Sequence, residues 1–96
     1  MTIIVIGEPH AVLPLVEQLA SDHGGVKEMQ MSSFILRANC EDGSRIETHL
    51  PEASRGCKAD EVWAPASIDH EFLKNIVIPM LMGHSDNLHY FSEKGF

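Results

Sequence analysis

Basic residues are scarce in this chain. Seven Lys and Arg stand against 14 Asp and Glu in 96 residues, for a net charge of −7. Neutralising phosphates takes clustered Lys and Arg, so the deficit excludes non-specific binding to DNA, RNA or anionic membranes. Cysteine is nearly absent. Cys40 and Cys57 lie too far apart for a C-x-x-C redox or zinc pair, and they are expected to be packed thiols in a reduced, cytoplasmic compartment. No apolar run approaches the roughly 20 residues of a membrane span. The first apolar stretch lacks basic flanks and is broken by Glu8 and Pro9, which does not read as a signal peptide. A G-x-x-x-x-G-K-[ST] phosphate loop occurs nowhere. No cofactor is expected.

What is present reads as one small domain spanning residues 1–96. Thr2–Ile6 is a continuous run of β-branched apolar residues, the pattern of a central strand covered on both faces. It runs into Gly7, and Val12, Leu15, Val16, Leu19 and Ala20 then recur at helical spacing over His10–Asp22. Pro14 is tolerable there if it falls in the first turn. Gly24-Gly25 stops the helix. Val26–Met31 reads as a short strand. Phe34–Cys40 and Arg45–Leu50 read as a hairpin around Glu41-Asp42-Gly43-Ser44, since Asp-Gly favours tight turns.

Pro51–Ala59 is a polar loop, and Glu61–Ala64 a strand ended by Pro65. Ser67 is the candidate N-cap of a second helix. Its buried stripe is Phe72, Leu73, Ile76, Val77, Met80 and Leu81; Pro79 kinks or shortens it, and Gly83 closes it. Leu88–Phe91 reads as a last strand. The expected fold class is α/β, a small Rossmann-like or degenerate P-loop-like mixed sheet with two main helices. The methionines, among them Met29, Met31, Met80 and Met82, are read first as core filling and second as an exposed contact surface.

The stretch from Gly43 to Ala66 resembles the core of phage large-terminase and helicase-like P-loop ATPases. Gly43-Ser44-Arg45-Ile46, Arg55-Gly56 and Asp60 match a hairpin strand followed by a loop ending in R-G-x-x-x-D. Thr2–Ala20 looks like the strand and helix that follow the phosphate loop in that family. The departures are in the catalytic parts. The phosphate loop and its lysine are not among these residues, and Pro65-Ala66 stands where the Walker B acids belong. The resemblance therefore implies a catalytically inactive relative, since nothing would hold Mg²⁺ or position a water. By analogy it implies a phage protein in the host cytoplasm that binds a nucleic-acid-handling protein as an inhibitor or modulator.

Three surfaces carry candidate function. The leading one is for a protein partner: the acidic residues Glu41, Asp42, Asp60 and Glu61, with Trp63 as an aromatic anchor. A homodimer through a sheet edge or the second helix belongs to the same reading. The second is a small-ligand crevice at the sheet's carboxyl edge using Gly7 and His10, for a nucleotide or phosphate. A glutamate beside a single glycine makes a poor anion cradle. The third is a metal-dependent hydrolase around His84, Asp86 and His89, drawn from six histidines in the chain. A cysteine nucleophile has no assignable base.

Overall fold

A computed structural model describes residues 1–51, 58–81 and 85–92. Six strands form one mixed sheet in the order β2-β3-β4-β1-β5-β6. They are β1 (Thr2–Ile6), β2 (Val26–Met31), β3 (Leu36–Cys40), β4 (Arg45–His49), β5 (Glu61–Pro65) and β6 (Leu88–Phe91). β1, β4, β5 and β6 run parallel, and β3 pairs antiparallel with both β4 and β2. The fold is α/β, as the pattern of elements predicts.

The continuous apolar run of β1 has the expected cause: its two faces enter two different cores. Ile3 and Val5 pack with Val12, Leu15, Val16, Leu19 and Ala20 of α1 (Pro9–Asp22). Ile4 and Ile6 pack with Val62, Ala64, Val77, Met80 and Leu81 on the other side. The two helices therefore cover opposite faces of the sheet. Each fully buried aliphatic side chain contributes about 1.5–3 kcal/mol.

β3 and β4 alternate instead. Leu36, Ala38, Cys40, Ile46 and Thr48 are buried on the α1 side, while Arg37, Asn39, Arg45, Glu47 and His49 point the other way. The backbone ladder of this pair ends at Arg37 and Glu47. The Leu36 N–H then donates to the Thr48 hydroxyl at 2.9 Å, which explains a fully buried threonine. At the other end, Gly43 takes φ +91° in the expected Asp-Gly turn.

Five local expectations are corrected. α1 starts at Pro9, so Pro14 lies beyond the first turn, inside the helix on its exposed side. β3 starts at Leu36, which leaves Phe34 in an exposed turn held by Ser32 and Ile35. β4 ends one residue before Leu50, at His49. Pro65 does not cut β5 short; it is the last residue of the strand and pairs with Phe91. The second helix is capped by Asp69, whose carboxylate accepts the Glu71 N–H at 2.9 Å, and not by Ser67.

That helix, α2, runs as His70–Phe72, a π-helical turn at Leu73–Val77, and Ile78–Met80. The wide turn directly precedes Pro79, which has no N–H for the Asn75 carbonyl and whose ring crowds it. The helix thus runs through Pro79 to Met80, with a widened turn before the proline, in place of the expected early stop. Gly83, the expected stop, lies outside the described residues.

Candidate functional site

The sheet carries chemistry-bearing residues at four places: its carboxyl edge, its amino edge, the β5–β6 margin and the open half around β2, β3 and β4.

At the carboxyl edge, α1 and α2 leave β1 and β5 towards opposite faces, which makes a topological switch point of the kind that binds ligands in open α/β sheets. The residues there do not form an anion cradle. The Gly7 N–H is spent on the His49 carbonyl at 2.9 Å. Pro9 has no N–H, and the amides of Ala11 and Val12 both donate to the Glu8 carbonyl at 3.1 Å. Glu8, at the N-cap, makes no capping bond with its side chain, and His10 is exposed. Gly7 has a packing reason instead. A Cβ there would sit 2.8 Å from Val12 Cγ1, at φ +156°.

At the amino edge, His23 Nδ1 lies 2.8 Å from Asp42 Oδ2 and 3.3 Å from the Ser44 hydroxyl. These are the residue types of a nucleophilic triad, but the geometry is wrong for one. Both partners meet the same ring nitrogen, whereas a triad needs the acid on one nitrogen and the hydroxyl on the other. Asp42 also accepts the Ser44 N–H at 2.8 Å. That bond, followed by those from the His23 ring and the Ser44 side chain, holds the Asp42 carboxyl pKa down at about 2. The cluster ties the β3–β4 turn to the end of α1. Sequence spacing gave no sign of it, because His23 and Asp42 meet only once the sheet is built. The nearby Cys40 thiol is packed in the α1-side core, and burial, then the Asp42 charge, push its pKa up.

The expected acidic contact surface is dispersed and mostly employed in the fold. Glu41 and Asp42 sit in the hairpin turn. Asp60 accepts the Thr2 N–H at 2.7 Å, anchoring the start of β1. Glu61 pairs with His89 at 2.8 Å, and the His89 ring stacks on Trp63 with centroids 4.7 Å apart. Trp63 is half-buried, and its buried indole N–H has no hydrogen-bond partner among the described residues. Of the metal candidates, His84 lies outside the described residues, Asp86 is exposed, and His89 is turned to Glu61. Among the described residues no three His, Cys, Asp or Glu side chains converge as metal ligands.

The open half of the sheet is the remaining place. On the α2 side, Glu28, Gln30, Arg37, Asn39 and Arg45 line a shallow depression of about 210 Å³. Arg45 and His49 both reach Glu47, at 3.4 and 3.1 Å. Arg45 and Glu47 thus offset one another's charge on this face.

β2 itself is the outermost strand, and all six of its residues are exposed. On the α1 side it presents Val26 (40% exposed), Met29 (37%) and Met31 (44%), with Phe34 (70%) in the turn that follows. Met29 and Met31 are therefore not core filling, whereas Met80 is buried. α1 buries Leu36, Ala38 and Cys40 of the adjacent strand, and it touches β2 without burying that strand's side chains. The second reading of the methionines, a displayed surface, is the one their exposure supports.

In comparisons with known proteins, no family model, no curated protein and no solved structure matches this chain. The likeness to terminase and helicase-like cores rests on its short motifs. Of these, Arg55-Gly56 lies outside the described residues, and Gly43–Ile46 forms the hairpin turn and the start of β4.

Proposed function

We propose that this chain is a non-enzymatic protein-binding domain that meets its partner along edge strand β2. One observation carries the reading. Four of the exposed large apolar residues, Val26, Met29, Met31 and Phe34, fall on one strand and its turn, and among the described residues no strand covers the outer side of that strand. An uncovered edge is a template for another strand, and an alternating apolar row gives such pairing its specificity. Further support comes from the polar clusters, whose catalytic residue types are committed to holding turns and strand ends together. The proposal extends to a nucleic-acid-handling protein as a further partner by analogy alone.

The test is capture of interacting proteins from the cell that makes the chain, run in parallel with Met29→Lys/Met31→Lys. Both substitutions fall on exposed positions, so folding is expected to survive, and circular dichroism checks it. A partner retained by the unmodified protein and lost by the variant supports the reading. A partner held equally by both places the contact elsewhere.

A further inference from the structure

We infer that the strand added to β2 is β2 of a second copy of this chain, antiparallel about a two-fold axis beside Gln30. The inference rests on the protein-binding reading and names its partner.

Self-complementarity carries it. Antiparallel strands related by a two-fold axis oppose each residue to one equally far on the other side of the axis. With the axis at Gln30, Met29 lies opposite Met31 of the second copy, and Met31 opposite its Met29. All four methionines then meet on the α1 side, where each is exposed in the single chain. Glu28 lies opposite Ser32, so no like charges face one another. The Phe34 end of each hairpin comes alongside the Val26 end of the other, bringing together the two remaining exposed apolar residues of this edge.

Neighbouring registers are poorer. An axis at Met29 sets Met31 opposite Lys27, and an axis at Glu28 sets two carboxylates face to face, which is destabilising. The register shift between Val26 and Glu28 leaves Glu28–Met31 as the regular stretch, and that stretch is the part the Gln30 axis uses. The pairing joins two six-stranded sheets into one and leaves no β2 edge exposed.

Sedimentation equilibrium over a wide concentration range, combined with site-directed cross-linking, tests this. The unmodified protein is expected to move from one to two chain masses as concentration rises. Met29→Lys/Met31→Lys should stay at one, and Phe34→Ser, a second exposed position, should weaken the association.

For cross-linking, Cys57 is replaced by Ser and mild thiol oxidation is applied to Gln30→Cys or Glu28→Cys. Opposed Cα atoms in an antiparallel pair lie ~4.5–5.5 Å apart, within the ~4.4–6.8 Å that a disulfide spans. Gln30→Cys should therefore give a reducible covalent dimer. Two Glu28 positions, offset by four residues, lie about 13 Å apart along the strand, and Glu28→Cys should give none.

A protein that keeps one chain mass at every concentration overturns the self-pairing, while capture of a different partner through β2 would still stand on its own test. A dimer that survives the double lysine variant, or that Gln30→Cys does not cross-link, overturns self-pairing of β2 about Gln30.

Discussion

The face of the sheet beneath α2 has two halves that differ in kind. Under α2, strands β1, β5 and β6 present Ile4, Ile6, Val62, Ala64 and Leu88, which pack with Val77, Met80 and Leu81. On the same face, β4, β3 and β2 carry a polar row, Arg45, Glu47, His49, Arg37, Asn39, Glu28 and Gln30, of which Glu47 and His49 are largely covered and Arg45, Arg37, Glu28 and Gln30 are exposed. One half is core and the other is surface, although hydrogen bonds run across them without a break. The difference lies in the helical cover. α2 shields only the strands on its side of β1, so the strands beyond it carry a polar row there and bury only their α1-facing row. β2 goes one step further and is exposed on both faces. A strand exposed on both faces and, among the described residues, unpaired along one edge, yet carrying an apolar row, is the part of this molecule that the described fold does not account for.

Substitutions should separate the two halves by size of effect. The largest is expected in the covered half: Ile4→Ala removes a buried side chain from the α2-side core, and should cost about 2–5 kcal/mol in urea unfolding. A loss no larger than that of a surface substitution would mean that α2 does not hold this half. Gly7→Ala comes next, because its methyl would collide with Val12 at an unfavourable φ. About 1–3 kcal/mol is expected, read as a lowered melting temperature with the sheet intact.

Acid titration acts on the open half through its hairpin turn. Asp42 sits at about 2 when folded, below its ordinary value near 3.8. Its stabilisation is therefore full above the unfolded value and is lost as pH falls through the folded one. Asp42→Asn should be less stable than the unmodified protein at neutral pH, and the gap should close between about pH 4 and pH 2. A constant gap would place the role of Asp42 outside its charge. The smallest effect is expected at the open face: Arg37→Ala, on an exposed side chain, should change stability by less than about 0.5 kcal/mol.

Much of this contrast was legible in the sequence. The unbroken Thr2–Ile6 run announces a strand buried on both faces, and Asp42-Gly43 announces the hairpin turn beside it, while neither assigns the buried face of that hairpin. The status of β2 was not legible. Met29 and Met31 read first as core filling and second as surface, and only the strand order, which sends β2 to the margin, reverses that ranking. Caps and helix starts were ambiguous for a local reason: Ser67 and Asp69 are both good N-cap residues. The stack of His89 on Trp63, and the meeting of His23 with Asp42, join residues far apart in the chain. No short-range spacing encodes them.

Amide hydrogen exchange on the unmodified protein, at low and at high concentration, tests the central claim most directly. If β2 is held for pairing with a second copy, protection of Glu28–Met31 should rise with concentration, while that of β1, already paired on both sides, stays constant. Protection of β2 that is unchanged across concentration would contradict the account.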